Sequence, residues 1–271
     1  MRQMTEPIDL ARASPARLYD ALLGGKNHFE VDRKLCHQLL ELAPDLRTLC
    51  TENRRWLAEA TSRMATEGRI DQFLDLGAGL PTARNTHDVV LPLNLAAKVV
   101  YVDNDLTAIS HGQALLADEK SSFFADADLA DPAAVLAHPA VKAGLDLSRP
   151  VGILFGLSLH SVTDLDQAVG AVSDYLAAVP SGSYLALTHP LNPRDRSRLA
   201  EFATGIEVKL QSAFPSGGRF RTRDEIGRFV TGLDLVKPGL VDLTAWWPKD
   251  EQNLCTTGAG QLLMVALGRK P

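Results

Sequence analysis

The stretch Phe73-Leu74-Asp75-Leu76-Gly77-Ala78-Gly79-Leu80-Pro81-Thr82 decides the fold. It starts as an apolar run that contains one acidic residue, and it continues into two glycines separated by one residue. Glycine has no Cβ, so the backbone can adopt conformations closed to other residues and a ligand can approach it closely. Pro81 suits the first position of a helix. The stretch therefore predicts a strand, a ligand-binding turn, and a helix from Pro81 to about Val90.

The spacing of the glycines separates two classes of nucleotide site. A dinucleotide site uses G-x-G-x-x-G and a helix N-terminus whose N–H groups face a pyrophosphate. The run Gly77-Ala78-Gly79 matches only the first half of that pattern, because Thr82 takes the third glycine position and Pro81 lacks an N–H. The remaining D-x-G-x-G is typical of class I S-adenosylmethionine (SAM) methyltransferases, whose ligand has no phosphate. Asp75 would then face the cationic methionine end.

The next two predicted strands also end in acidic residues. Val99–Val102 runs into Asp103-Asn104-Asp105, and Ser122–Ala125 runs into a segment that contains Asp128-Leu129. The carboxylate of Asp103 can accept hydrogen bonds from both ribose hydroxyls, and Asn104 lies next to it in the sequence. A carboxylate at Asp128 can accept from the adenine amino group while Leu129 packs on the ring. Helix N-caps are the alternative explanation of Asp103 and Asp128.

Four segments together resemble a bacterial family of S-adenosyl methyltransferases that has no assigned substrate. They are Tyr19–Lys26, Phe73–Thr82, Val100–Asp105 and Ala127–Pro132. Members of the family commonly have Gly-Thr-Gly where this chain has Gly77-Ala78-Gly79, a difference that keeps both glycines.

This resemblance implies a fold and a cofactor but no methyl acceptor. The implied fold is a Rossmann-like class I methyltransferase with a central, mostly parallel seven-stranded sheet, helices on both faces and an N-terminal helical extension. The last two strands would pair as an antiparallel hairpin at one edge. The implied cofactor is SAM, and the product is S-adenosylhomocysteine.

Composition sets the broad class of protein. The chain has 271 residues and a formal net charge of −5, which argues against a nucleic acid bound through its phosphates. Cys36, Cys50 and Cys255 are scattered, so neither a disulfide framework nor a zinc site is expected. No histidine has metal-ligand spacing, and no apolar run reaches the length of a membrane span. We expect a cytoplasmic protein with an extension at residues 1–66 and one SAM-binding domain at residues 67–271.

The extension contains two candidate binding segments. A helix opened by Ser14-Pro15 stops at Gly24-Gly25, and a polar loop with an aromatic residue follows. We interpret this loop as a lid in which Tyr19, Lys26, Asn27 or Phe29 contacts cofactor or acceptor; the alternative is an ordinary helix terminus. Arg54 is a candidate ligand for the SAM carboxylate, since guanidinium can pair a carboxylate in a bidentate way. A solvated helical face is the other interpretation of Arg54.

The catalytic candidate follows the fourth strand. Val151–Phe155 is a continuous apolar run, and Gly156 and His160 come after its carboxyl end, where open α/β sheets bind ligands. A neutral imidazole there can take a proton from an O, N or C nucleophile of a small-molecule acceptor. Alternatively, the ring hydrogen-bonds the backbone and shapes the pocket. His189, at the end of the fifth strand, is the second candidate.

The last third of the chain yields less specific predictions. Asn192-Pro193 should open a helix, residues 212–221 should form a loop that borders the acceptor, and two final strands should span Leu235–Pro248 and Gln261–Leu267. Two other functions remain open. A non-catalytic sensor of SAM or S-adenosylhomocysteine would share the cofactor site, and an NAD-linked oxidoreductase would use the same first two strand ends, although Pro81 and Thr82 argue against it.

Overall fold

The described residues form eight strands in a single sheet whose first five members are parallel. The structure is a computed structural model that describes residues 8–82, 84–115, 120–214, 217–247 and 258–271. The strand order is β3-β2-β1-β4-β5-β8-β6, and β7 also pairs with β8. The strands are β1 Gln72–Leu76, β2 Lys98–Asp103, β3 Ser122–Asp126, β4 Gly152–Gly156, β5 Tyr184–Pro190, β6 Asp234–Leu235, β7 Val241–Asp242 and β8 Leu263–Arg269.

Helices cover both faces of this sheet. They are α1 Pro15–Leu22, α2 Glu30–Leu42, α3 Leu46–Thr66, α4 Thr86–Val90, α5 Leu106–Leu115, α6 Pro132–Ala137, α7 Pro139–Gly144, α8 Leu165–Ala177, α9 Arg198–Ala213, α10 Arg223–Gly227 and α11 Leu243–Trp246. Short 3-10 turns occur at Leu159–Ser161, Arg228–Val230 and Gly258–Leu262. Within the described ranges, none of the helices combines the length and apolarity needed to cross a bilayer.

The strand sequences explain the two-sided core. Side chains alternate between the faces of a strand, so Leu74 and Leu76 of β1 enter one apolar cluster while Phe73 enters the other. In β4, Ile153 joins the first cluster and Leu154 the second. Both strands are continuous apolar runs because both of their faces are buried.

The described residues form eight strands where seven were expected, because two short strands share one position in the sheet. β8 is antiparallel to β5 along one edge, and β6 and β7 both pair with its other edge. Asp234 lies opposite Arg269 and Val241 lies opposite Val265, so the two short strands follow one another along β8. The sheet therefore has seven positions, as the resemblance implies.

Three predicted element boundaries are wrong. The helix after β1 begins at Thr86 rather than Pro81, because the backbone N–H of Asn85 donates to the Asp88 carboxylate (2.7 Å) and sets a later start. The helix expected at Asn192 begins at Arg198, where Ser197 caps it by accepting from the Ala200 N–H. Residues 243–246 of the expected final strand form α11, and Pro248 lies outside the described residues.

Helix α3 extends beyond the carboxyl ends of the parallel strands. Its residue Met64 packs over Gly152 at the start of β4, and Leu57 packs over Gly156 at the end of that strand. The helix begins at Leu46, eleven residues before Leu57, and at 1.5 Å per residue it overhangs the strand ends by about 16 Å. This overhang carries a third apolar cluster in which α1, α2 and α9 meet.

Candidate functional site

A cavity of about 530 Å³ lies at the carboxyl ends of the parallel strands, within the usual size range of small-molecule sites. Its wall has two parts. The polar half contains residues 77–79, 103–105 and 128–130 together with Arg54. The apolar half is lined by residues of α1, α2 and α9, the first turns of α3, and Phe214, Gly217, Gly218, Phe220, Leu262 and Leu263.

The turn after β1 requires glycine. Gly77 and Gly79 have φ values of +74° and +67°, a region that L side chains avoid. A Cβ on Gly77 would lie 2.4 Å from the Cβ of Ser158, whereas one on Gly79 would meet nothing within 4 Å. The backbone N–H groups of Gly77 and Ala78 donate to the Val102 carbonyl at 2.8 and 3.1 Å, which fixes the turn against β2.

Asp103 is the last residue of β2, and its carboxylate contacts both the turn after β1 and the turn after β2. Its Oδ2 accepts from the Gly79 N–H (2.7 Å), and its Oδ1 accepts from the Asp105 N–H (2.8 Å). Burial raises the pKa of this carboxyl to about 6, although these backbone donors oppose the shift. Asn104 lines the cavity beside it.

Asp128 and Leu129 form the wall beyond β3. The Asp128 carboxylate accepts from the Ala130 N–H at 2.8 Å, and both residues line the cavity. The hydroxyl of Tyr175 donates to the Leu129 carbonyl (3.0 Å), which fixes the backbone there. Gly156, at the end of β4, also lines the cavity. The cavity thus brings together most of the cofactor-binding residues that the sequence predicts.

Two of the predicted binding residues lie outside this wall. The side chain of Asp75 is on the same face of β1 as Phe73, away from Leu74 and Leu76, and its carboxylate accepts from the Thr86 hydroxyl (2.7 Å). Lys26 is exposed on the surface and does not line the cavity.

The predicted lid loop is tied to the protein rather than placed over the cavity. The Asp20 carboxylate accepts from the Asn27 N–H (2.9 Å) and pairs with His28 Nδ1 (2.7 Å). Neither Asn27 nor Phe29 lines the cavity, but Tyr19 does. Asp20, which precedes the glycine pair, holds this loop folded because its carboxylate contacts two groups that follow the pair.

Two neighbouring side chains of α3 reach the cavity between its two halves. Arg54 donates from Nη2 to the Thr82 hydroxyl (3.0 Å), and its buried Nε has no partner among the described residues. Asn53 is buried and donates from Nδ2 to the Tyr19 hydroxyl (2.8 Å), which leaves its Oδ1 unpartnered within the same part of the chain. Of these two residues, only Arg54 is named in the sequence analysis.

His160 lies on the cavity wall within the 3-10 turn after β4. Its Nδ1 is buried, and no described residue provides a hydrogen bond to it. Burial, followed by the positive charge of Arg221, lowers the pKa of His160 to about 4. The ring is therefore neutral at neutral pH and can accept a hydrogen bond from a bound molecule.

His189, the second candidate, does not line the cavity. Its Nδ1 is 2.8 Å from the Pro190 carbonyl oxygen, so that nitrogen carries the proton and donates. Its Nε2 then accepts from Arg221 Nη1 (2.9 Å). Burial and the Arg221 charge lower the pKa of His189, and both ring nitrogens are engaged. His189 is thus a structural residue that orients Arg221.

Arg221 is a residue that the sequence did not single out. It is 1% exposed and donates to the carbonyls of Leu159 (3.1 Å) and Val162, which brace the turn that carries His160. In the sequence it stands in a Gly-Gly-Arg-Phe-Arg run typical of an exposed loop. Only its tertiary contacts reveal its role.

The apolar half of the cavity was also missed, apart from the loop expected to border it. Ile206 and Leu210 lie one turn apart on α9, and Phe214 and Phe220 follow. The helical spacing of these apolar residues was a usable signal for a buried face. It does not indicate whether such a face packs on a core or on a ligand.

Comparisons with known proteins agree with this geometry. A family model described as S-adenosyl methyltransferase matches residues 1–271. No curated protein matches the chain significantly. A solved structure of a candidate methyltransferase from Thermobifida fusca YX shares 36% identity with a TM-score of 0.89, covering 100% of this chain and 99% of that chain.

Two further solved structures are similar. A DUF574 family protein from Streptomyces avermitilis MA-4680 shares 34% identity with a TM-score of 0.89, over 98% of this chain and 100% of that chain. An O-methyltransferase family protein from Burkholderia thailandensis shares 14% identity with a TM-score of 0.53, over 85% of this chain and 61% of that chain, a similarity of fold alone. The whole-length match places the chain in the S-adenosyl methyltransferase family, and it is therefore a SAM-dependent methyltransferase.

Proposed function

We propose that the cavity holds SAM in its polar half and a small-molecule acceptor in its apolar half. The observation that supports this proposal is a set of buried polar atoms without partners among the described residues. Four of them belong to residues on the cavity wall: Asn53 Oδ1, Arg54 Nε, Ser158 Oγ and His160 Nδ1. Buried polar groups are normally hydrogen-bonded, so a bound ligand is the natural source of the missing partners.

The polar residues fit the chemical groups of SAM. Asp103, beside Asn104, would accept from the ribose hydroxyls, and Asp128 would accept from the adenine amino group while Leu129 packs on the ring. Arg54 would pair with the methionine carboxylate, because its unpartnered Nε and its cationic charge both suit an anion. Open space beside Gly79 would let the cofactor approach the backbone of that turn closely, whereas Ser158 packs against Gly77 and Leu57 packs against Gly156.

Asp75 and Lys26 have a different place in this proposal. Asp75 would act on the cofactor only indirectly, because its carboxylate is bonded to Thr86 and is absent from the cavity wall. Lys26 has no part in binding.

Bound SAM supplies a methyl group that its positively charged sulfur activates, and the sulfur keeps the bonding electron pair when the methyl group leaves. The residues of the chain then have two tasks. The walls hold the acceptor in line with the methyl group, which can supply much of the acceleration. His160 accepts the proton that an O–H or N–H nucleophile loses. A ring with a pKa near 4 is a weak base, so positioning makes the larger contribution.

Calorimetric titration with S-adenosylhomocysteine tests the cofactor site. We expect binding by the wild-type chain and at least a tenfold weaker affinity for Gly77→Ala, whose added methyl group would lie against Ser158. Gly232→Ala is the matched control, since Gly232 also has a positive φ (+81°) and open space around a new Cβ but does not line the cavity. Equal affinities for the two variants would contradict the assignment of Gly77.

Transfer is tested separately with methyl-labelled SAM and a small-molecule extract of cells. A labelled low-molecular-weight product supports the proposal. Tight binding without any transfer would instead indicate a sensor of SAM or S-adenosylhomocysteine.

A further inference from the structure

The apolar half of the cavity is built from parts of the chain that are distant in sequence. Leu18 and Leu22 come from α1, Leu39 from α2, and Ile206 from α9. All four also belong to the third apolar cluster, together with Phe214 and Phe220. The cavity thus continues from the turns at the strand ends into the hydrophobic space between α1, α2 and α9, which we call the helical cover.

Charge is confined to the other half of the wall. The charged side chains that line the cavity are Arg54, Asp103, Asp105 and Asp128, and all of them belong to the polar half. Within the described part of the chain, the apolar half has no lysine, arginine, aspartate or glutamate on its wall. A charged acceptor buried there would lose its hydration without gaining a counter-ion, which is costly.

Hydrogen-bonding groups in the apolar half are few, and most are already occupied. The Tyr19 hydroxyl donates to the Cys50 carbonyl (3.2 Å) and accepts from Asn53. Of the four unpartnered atoms on the wall, Arg54 Nε is assigned to the cofactor and Ser158 belongs to the side chain that packs against Gly77, which leaves Asn53 Oδ1 and His160 Nδ1 for the methyl acceptor. The first can only accept a hydrogen bond, and the second accepts one in the tautomer that carries the ring proton on Nε2. These two groups therefore fit a methyl acceptor whose hydroxyl donates a hydrogen bond.

Building on the proposed function, we infer that the methyl acceptor is a neutral, apolar molecule whose reacting group is a hydroxyl directed at His160. The O–H bond breaks as its proton passes to the imidazole, and a bond forms between that oxygen and the methyl carbon. The sulfur keeps the electron pair of the broken S–CH₃ bond, and the proton then leaves His160 for water. The product is a neutral methyl ether.

Matched sets of probes test the charge requirement. Each set contains a neutral phenol, a carboxylated analogue and an aminomethyl analogue on one ring system, such as 2-naphthol, 6-hydroxy-2-naphthoate and 6-(aminomethyl)-2-naphthol. Sets built on one-, two- and three-ring systems cover the possible sizes. The full-length chain is saturated with S-adenosylhomocysteine for calorimetric binding, and labelled SAM replaces it for transfer.

We expect at least one neutral phenol to bind at least tenfold more tightly than both of its charged analogues and to be converted to its methyl ether. Equal affinities for the neutral and charged members of every set, or the failure of every neutral phenol to bind, would overturn the inference. Because the same samples report on S-adenosylhomocysteine binding, such a result leaves the cofactor site intact, whereas loss of that binding would count against the proposed function itself.

A pair of substitutions on α9 tests the location. Leu210→Trp adds volume at a half-buried position on the cavity wall and should weaken phenol binding at least tenfold without changing the affinity for S-adenosylhomocysteine. Val208→Trp, on the exposed side of the same helix, should change neither affinity. Ile206→Phe, which fills the same space from a buried position, is the second test variant. Unchanged phenol binding in both Leu210→Trp and Ile206→Phe would place the acceptor elsewhere.

Discussion

At the scale of single residues, the strand-end carboxylates differ in their surroundings although they look alike in the sequence. Asp103 lies on the cavity wall, and its two oxygens accept from the backbone N–H groups of Gly79 and Asp105. Asp75 faces the opposite side of the turn and accepts from Thr86. A bound ribose would therefore meet Asp103 and not Asp75.

The raised pKa of Asp103 makes cofactor affinity depend on pH. The carboxyl has a pKa of about 6 in the folded chain, so it is ionised at pH 7.5 and about nine-tenths protonated at pH 5. A protonated carboxyl is a weaker acceptor for two ribose hydroxyls. We expect affinity for S-adenosylhomocysteine to fall by about tenfold between pH 7.5 and pH 5, as measured by calorimetry.

The control for this pH effect is Asp103→Asn, which cannot ionise. Its affinity should be lower at pH 7.5 and nearly constant down to pH 5. A pH dependence equally steep in the variant would assign the effect to another group.

The lowered pKa of His160 can be measured directly. Burial and the Arg221 charge both disfavour the imidazolium, so we expect the ring resonances to stay constant from pH 8 to about pH 5 and to titrate with a midpoint near 4. An NMR titration of the ring Cε1–H, assigned with His160→Gln, checks this expectation. In Arg221→Met the midpoint should rise, because one of the two causes is removed. A wild-type midpoint near 6.5 would show that the ring is hydrated and unaffected by Arg221.

At the scale of elements, a buried ion pair joins two helices of the cover, α1 and α2, and links them to helix α5. Arg17 on α1 is 3% exposed and pairs through Nε with Asp32 on α2, which is 0% exposed, at 2.8 Å. Arg17 also donates from Nη1 to the Thr107 hydroxyl of α5 (3.3 Å). Asp32 accepts in addition from the N–H groups of Ser14 and Phe29. One buried pair thus links two cover helices to the cofactor-binding half.

Removal of one member of this pair should destabilise the fold strongly. Asp32→Ala leaves the Arg17 charge buried without its partner, and we expect the free energy of unfolding to fall by about 3–5 kcal/mol in urea titrations. Glu30→Ala, on the same helix, removes an exposed pair with Arg33 and should leave the free energy of unfolding almost unchanged. Similar losses in the two variants would mean that the buried pair contributes no more than a surface pair.

At the scale of the whole molecule, the helical extension and the methyltransferase domain share one core. Trp56 and Met64 of α3 are fully buried, and they join the apolar cluster that contains Phe73 of β1 and Leu154 of β4. The division into an extension at residues 1–66 and a domain at residues 67–271 stays a prediction. The shared cluster leads us to expect that the two parts do not fold separately.

Truncation tests this expectation. A chain of residues 67–271 would expose the sheet face that α3 covers, so we expect no cooperative thermal transition and no binding of S-adenosylhomocysteine. The full-length chain, measured under the same conditions, is the control and should show both a cooperative transition and binding. A cooperative transition in the 67–271 chain would establish an independent domain.

The sequence by itself determined the fold class, the cofactor and most of the polar wall. These depend on local patterns: buried strands are continuous apolar runs, the turn after β1 needs glycine for its positive φ values, and carboxylates at the ends of parallel strands converge at one edge. Asp103, Asp128 and His160 could be selected for that reason. Helix starts were less predictable. The two helices expected to start near Pro81 and Pro193 begin later, after the N-cap residues Asn85 and Ser197.

Only the tertiary structure decided the shape and character of the acceptor half. That half requires α3 to overhang the sheet and α1, α2 and α9 to meet above it, and contacts between residues so far apart in the chain leave no local pattern. The same holds for Arg221, whose burial depends on His189 and on the backbone of residues 159–162. Periodicity shows which side chains are buried, but long-range packing determines whether they face a core or a cavity.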